Sequence, residues 1–446
     1  MNKLIETLGN IWKIKDLRDR ILFTLGLILI YRVGSFVVLP GIDPAVLDNT
    51  AGNQGILGII NMFAGGAFNR ASVFALGIMP YISASIVMQL LGLAVPYFQK
   101  MQREGESGRR RMNQITRGLT VVITAVQASA YVKFLSFISG GDILINPTLF
   151  WVSTTVILTA GTVFCMWLGE KITDRGIGNG ISLLIMAGII ATLPGALVAE
   201  FNGRLLGGGT GGMIFFIIEM LILGLIVMAT ILLVQGTRKI PVQYAKRIVG
   251  NKQYGGVRNY IPLKVNISGV MPIIFAQAFL FIPGTIAQAM PSRLEGGGLL
   301  AQFSDFTSWP YNILMFLMVM LFTYFYTALI VNPVQMADDL KRNNGFIPGV
   351  KPGKKTAEFI DTIMSRITLP GSIFLAFVAI LPAFAIMFGI NQQFAHFFGG
   401  TSLLIMVAVV LDTLQQIESH LLMRHYDGLT KSGSKIKGRS SIGATV

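Results

Sequence analysis

Three histidines, one cysteine and 21 acids are what this chain of 446 residues offers for acid–base, nucleophilic or metal chemistry. Their spacing builds no familiar site. An HExxH pair would put two zinc ligands on one helix face, and a GxxxxGKS or GxxxxGKT loop would cradle phosphates; neither occurs. Cys165 stands alone and closes no internal disulfide. His396, His420 and His425 fall at the edges of apolar runs or in the tail, away from a serine or acid that would complete a catalytic pair. GIGNG at 176–180 follows a helical pattern instead of a strand, unlike a dinucleotide loop, and GGGTGG at 207–212 reads as flexible linker. No cofactor or metal is expected. Ionisable residues inside apolar runs remain, and these mark function by default. They are Arg32, Lys133, Glu219 and Asp412. Arg32 and Asp412 suit pairing or helix orientation, and Lys133 lies close enough to a run's edge to snorkel.

The elements that must position these residues are membrane helices. Hydrophobic residues make up 53% of the chain and charged ones 13%, against roughly 25% charged in soluble proteins. Together with 50 glycines and 30 phenylalanines, that excludes a soluble enzyme, a disordered chain and a disulfide scaffold. A spanning helix needs ~20 mostly apolar residues. Ten such runs occur, at 21–39, 74–95, 118–139, 148–168, 174–199, 213–235, 266–290, 310–331, 367–388 and 398–418. The polar, basic residues 1–20 precede a full-length span, with no short apolar core and cleavage site of a removable signal. Leu4, Ile5, Leu8, Ile11 and Trp12 recur at helical spacing, which suits a segment lying on the membrane surface.

Charge sets the orientation. Of 36 Lys and Arg, 31 fall on the side of the termini and three, Arg70, Arg204 and Arg293, on the other. The positive-inside rule therefore places both termini in the cytoplasm. Ten spans divide into five and five, and an odd number per repeat forces opposite orientations. Pro80 and Pro272 occupy comparable places in the second and seventh spans. The expected organisation is a cytoplasmic N-terminal segment (1–20), a first half (21–199), an outer connection (200–212), a second half (213–418) and a cytoplasmic tail (419–446). The second half carries basic cytoplasmic loops at 236–265 and 332–366.

Between the first two spans, GILGIINMFAGGAF at 55–68 is too short to cross and too apolar for an ordinary loop, so it reads as re-entrant. Here the chain resembles the SecY family, the channel subunits of the Sec protein translocon. NMFAGGAFNRASVFALGIMPYISAS at 61–85 is similar to the family's plug and second helix. EGESGRR (104–110), MWLGEKITDRGIGNGIS (166–182), YAKR (244–247), FYTALIVNP (325–333) and FGGTSLLI (398–405) resemble its other signatures. The resemblance implies an all-α polytopic membrane protein of ten helices, in two inverted halves around an hourglass pore. A plug including Ile59, Ile60, Asn61, Met62, Phe63, Ala64, Gly65 and Gly66 would rest in the outer funnel. A lateral gate would open between spans two and three on one half and seven and eight on the other.

The resemblance also implies a constriction lined by Ile82, Ile86, Ile181, Ile185, Ile274 and Ile405. The spacing is compatible, since each of the two pairs is i,i+4 and faces one side of its helix. Without the resemblance, isoleucines in a spanning helix would read as facing lipid or neighbours. Ser83, Gln127 and Gln277 are polar residues on the expected gate walls, suited either to holding the gate by interhelical hydrogen bonds or to ordinary packing. Residues 236–265 carry seven Lys/Arg and no acid. Arg238, Lys239, Lys246, Arg247 and Arg258 would contact ribosomal RNA phosphates or an acidic motor surface. Lys351, Lys354 and Lys355 extend that surface, although the family usually has Arg at the position of Lys351 and Lys cannot reproduce its planar fork. The implied partners are SecE, SecG, the SecA ATPase, the ribosome, unfolded polypeptides and lipid, in a bacterial inner membrane. The channel itself would be no enzyme. A proton-coupled secondary transporter of small solutes is the alternative from another class.

Overall fold

The computed structural model describes residues 14–42, 61–138, 146–205, 212–244, 247–249, 252–254, 258–277, 279–280 and 307–432. Ile59, Ile60 and Lys246 lie outside them, as do the N-terminal amphipathic segment and the end of the tail. Among the described residues seven helices are long and apolar enough to cross a membrane, and an eighth results if the bent pair Met79–Gly92 and Pro96–Gln102 is one span.

The first helix, α1 (Lys15–Gly34), ends where Gly34 meets the Phe74 ring so closely that a Cβ would collide with it. The chain then extends and pairs briefly with the returning segment through a Val38–Ser72 bridge. Helix α2 (Met79–Ala94) is separated from α3 (Pro96–Arg103) by a bend of 100°. Pro96 causes it, because proline forces the preceding Val95 out of the helical region. Helices α4 (Glu106–Ile138), α5 (Pro147–Arg175), α6 (Gly180–Leu205) and α7 (Gly212–Gln235) follow. Within the expected seventh span, 271–277 and 279–280 are helical, and the remainder from 281 lies outside the described residues. Helices α8 (Trp309–Ile330), α9 (Pro333–Arg342), α10 (Lys354–Met387), α11 (Gln392–Ala395) and α12 (Gly400–Ser432) complete the helical chain.

The fifth apolar run was expected from 174, but α6 starts at Gly180. Between α5 and α6 the chain turns through Gly178 at φ +82°. Asn179 Oδ1 then accepts from the backbone N–H of Ile181 at 3.2 Å, which caps the new helix. The turn is tied to two other helices. Ile177 N donates to Thr24 Oγ1 of α1 at 3.1 Å, and Gly178 N to Gln416 Oε1 of α12 at 2.8 Å. The shift carries Glu200 and Arg204, expected in an outer connection, into the last turns of a helix.

The basic segment expected as a loop is a small sheet. Strand β1 (Thr237–Tyr244) pairs antiparallel with β4 (Arg258–Lys264), from Thr237 opposite Lys264 to Gln243 opposite Arg258. The short strands β2 (Arg247–Val249) and β3 (Lys252–Tyr254) form a separate hairpin, and β5 (Gly345–Phe346) adds to the edge of β1. Ile240, Val242 and Leu263 of the sheet pack on Leu340 of α9 and Ile360 and Met364 of α10. That core holds the sheet to the first turns of α10, which begins in the expected loop, well before 367.

Candidate functional site

Asn61, Met62 and Phe63 make one helical turn, after which the chain bends at Gly65 and Gly66, both at positive φ. The bend is closed by Gly66 N donating to Asn61 O at 2.9 Å and Asn69 N to Asn61 Oδ1 at 3.0 Å. Beneath it lies an apolar cluster. Buried Met62 and Ile405 share it with half-buried Phe63, Ile82, Ile181 and Ile185. Four of the six expected constriction residues, drawn from α2, α6 and α12, thus pack in the same apolar core as this turn, and Ile82 and Ile185 border the small gap beside Phe63. Ile86 is buried and Ile274 half-buried outside that cluster. The gap between Phe63, Ala64, Ile82 and Ile185 measures about 10 Å³, at the lower limit for holding one water.

Three helices, α1, α4 and α6, seat the turn. Arg32, near the outer end of α1, donates from Nη1 to Gly65 O at 2.8 Å and lies 5.1 Å over the Phe36 ring. Arg70 covers the same ring at 4.3 Å. Tyr131 of α4 donates its hydroxyl to Phe68 O at 2.6 Å and packs its ring on Phe68 at 4.7 Å. On α6, Gly188 admits the turn: a Cβ there would stand 2.6 Å from Phe63 O, and one on Gly65 would stand 3.0 Å from Gly188 Cα. Arg32 is accordingly partnered by the re-entrant segment and not by Asp412, which is exposed on α12. Lys133 is exposed.

A cavity of about 290 Å³ lies between the turn, α6 and α11, lined by Asn61, Asn69, Arg70, Thr192, Gln393 and His396. Burial pushes the His396 imidazole down to about 4, so it is neutral near pH 7.

At the edge where α2 approaches α8, Tyr326 donates its hydroxyl to Gln89 Oε1 at 3.1 Å. Tyr326 packs on Phe275 at 5.9 Å, and Phe275 on Phe322 at 5.8 Å. The three polar residues expected at this edge are not joined to one another. Ser83 Oγ donates to Met79 O of its own helix, Gln277 Oε1 accepts from Thr401 at 3.4 Å, and Gln127 is half-buried. The Gln89–Tyr326 pair was missed by sequence reasoning, although Tyr326 lies inside a quoted motif; a partner more than two hundred residues away leaves no local signal.

Of the expected basic residues, those described lie on the three-stranded sheet, on the separate β2–β3 hairpin and around the start of α10. Arg238 and Lys239 are exposed on β1; Arg247 and Arg258 stand on β2 and β4; Lys351, Lys354 and Lys355 are exposed around the start of α10. Lys351 O accepts from Thr356 Oγ1 at 3.0 Å, which fixes the backbone entering that helix.

Among the described residues no group of three or more His, Cys, Asp or Glu is arranged to hold a metal. The SecY family model matches residues 72–414. Protein translocase subunit SecY of Streptomyces coelicolor is 42% identical over 443 residues, covering 96% of this chain and 100% of the relative. The subunit of the same description from Halalkalibacterium halodurans is 44% identical over 436 residues, covering 96% and 100%. Two solved structures share the fold. "The structure of a protein conducting channel" matches with a TM-score of 0.61 at 20% identity, covering 94% of each chain. "Sec61 in the Canine ribosome-channel complex from the endoplasmic reticulum" matches with a TM-score of 0.58 at 18% identity, also covering 94% of each.

Proposed function

The chain belongs to the SecY family, and from that membership we propose how its geometry conducts a polypeptide. It is a multi-pass membrane protein and the channel-forming subunit of a protein translocase. The solute-transporter alternative falls away, since the relatives are translocase subunits along their whole length.

In the proposed architecture ten helices form two inverted five-helix halves, with both termini in the cytoplasm of a bacterial inner membrane. The observation that carries the mechanism is that Met62 and Phe63 share one apolar core with Ile82, Ile181, Ile185 and Ile405. Apolar side chains resist wetting, so the resting constriction blocks ions, and isoleucine rotamers part around an extended peptide of any sequence. Ile86 and Ile274 join the ring as the helices move. The turn, with the residues just before it, is the plug, which leaves its seat when a chain enters.

The α2–α8 edge is the lateral gate, with Ser83, Gln127 and Gln277 on its walls. Lipid and channel are competing solvents for each passing segment. A central Leu gains ~0.3–0.6 kcal/mol in lipid and a central Asp, Lys or Arg costs ~2.5–3.5, so the segment's own composition decides whether it leaves sideways. The channel hydrolyses nothing; energy comes from the ribosome, from SecA or from the membrane potential. The ribosome and SecA would dock on Arg238, Lys239, Lys246, Arg247, Arg258, Lys351, Lys354 and Lys355, while SecE clasps the halves and SecG sits at the periphery.

The test is reconstitution of the purified complex in vesicles with SecA and ATP. An unfolded secretory precursor should become protected from external protease, and Ile405→Asn should admit precursors with weakened signal sequences. Failure to protect any precursor would overturn the proposal.

A further inference from the structure

The cavity beside the Asn61–Gly66 turn holds positive charge that its walls do not neutralise. Its volume of about 290 Å³ is many times the ~10–15 Å³ that one water needs. Asn61, Asn69 and Arg70 line it from the turn, Thr192 from α6, and Gln393 and His396 from α11 and just beyond. Among the described residues no Asp or Glu lines it. The His396 imidazole is neutral near pH 7, so Arg70 is the charged group of the cavity. Glu200, one turn past Ala196 on α6, is engaged at both oxygens. Oε1 accepts from Arg204 Nε at 2.9 Å and Oε2 from Asn391 N at 2.7 Å.

Arg70 is held in place without being paired. Its guanidinium lies 4.3 Å over the Phe36 ring, and Nη2 rests against Gly66, where a Cβ would stand 2.7 Å away. Nη1 is buried and has no hydrogen-bond partner. Arg32 brings a second guanidinium to the same ring at 5.1 Å. Among the described residues neither arginine forms an ion pair. Water can satisfy one N–H, but it leaves partly buried like charges uncompensated, which is costly. A cleft lined by one sign of charge concentrates the opposite ion. A guanidinium pinned on a ring presents its planar fork to a phosphate or carboxylate. The amides of Asn61 and Gln393 supply further donors.

We propose that this cavity binds a compact oxyanion of the phosphate class, with Arg70 as its charged partner and Asn61 and Gln393 facing it from two walls. The bound ion bridges the turn to α6 and α11 and holds the turn in its seat. Binding stands apart from the channel reading; on that reading the ion is a ligand of the closed state. The phosphate comes from a free ion or from a lipid headgroup, since Phe36 beneath Arg70 is exposed.

The test is amide hydrogen exchange over residues 61–72 of the purified complex in a phosphate-free maltoside detergent. Inorganic phosphate at ten times its dissociation constant should slow exchange about tenfold, and chloride at matched ionic strength should not. Arg70→Gln should abolish the slowing, and Gln393→Leu on the facing wall should weaken it. Lys133→Gln, an exposed cation off the cavity, should leave it unchanged. Phosphatidylglycerol added without phosphate separates the sources: slowing by the lipid assigns a headgroup, and slowing by inorganic phosphate alone assigns the free ion. If neither slows exchange, if chloride matches phosphate, or if the effect survives in Arg70→Gln, the site is overturned. Should Arg70→Gln fail to assemble, Gln393→Leu carries the test, and undiminished slowing there overturns the bridge. None of these readouts depends on translocation, which precursor protection tests separately.

Discussion

Arg32 sits in the first apolar run, where a charge is costly unless it is partnered. Its hydrogen bond to Gly65 O, made beside the Phe36 ring, ties the turn proposed as the plug to α1. A charge-assisted bond of this kind contributes about 2 kcal/mol. Arg32→Met should therefore shift the plug toward its displaced position by about 30-fold, since each 1.4 kcal/mol is a factor of ten. The expected readout is a raised resting ion leak in planar bilayers; a leak equal to that of the parent would remove Arg32 from the seat. The sequence marked Arg32 as unusual but not its partner, because a backbone carbonyl in a distant loop has no residue signature. Asp412 attracted attention only because it is an acid in an apolar run. The isoleucines were legible for two reasons, helical i,i+4 spacing and family resemblance. Glu200 was overlooked because the run was read as 174–199, whereas the helix covers Gly180–Leu205, which left this acid just past the expected end.

At the scale of elements, the weak joint between α2 and α8 sets how readily a segment escapes into lipid. Tyr326→Phe keeps the ring on Phe275 and removes the hydroxyl that reaches Gln89 at 3.1 Å. One neutral hydrogen bond contributes about 1 kcal/mol, equivalent to roughly two or three central leucines at ~0.3–0.6 kcal/mol each. The hydrophobicity at which half of a graded series of test segments inserts should fall by that amount, and an unmoved midpoint would show that the bond is no part of the gate. Most helices of the structure were legible as apolar runs, with boundaries displaced where capping decided them. Gly178 and Asn179 moved the start of α6, and the second run, 74–95, is helical from Met79 to Ala94, stopping before Pro96, where a further short helix begins. The cytoplasmic sheet was not legible. TRKIPVQY alternates for only a few residues inside a strongly basic stretch, and its burial depends on α9 and α10, much farther along the chain.

At the scale of the whole molecule, the proposed channel is two halves closed over an apolar contact beneath the Asn61–Gly66 turn. The family and the helical, multi-pass character could be read from the sequence, the one from its motifs and the other from hydropathy. The contacts that join distant helices, such as Tyr326 to Gln89, could not, because they link residues far apart in the chain. The central claim is that this closed assembly is a gated peptide pore. Phe68 is unsuited as a reporter of plug position, being buried against Tyr131 and Phe134. Asn69 lines the cavity beside the turn and is half-buried. The decisive measurement is ion conductance of the purified complex carrying Asn69→Cys and Cys165→Ala in a planar bilayer, before and after engagement of a stalled secretory chain or attachment of a bulky thiol reagent. The account predicts a silent resting channel that conducts when the plug is displaced or the chain is released from an engaged pore. A bilayer that stays silent under every one of these conditions would contradict it.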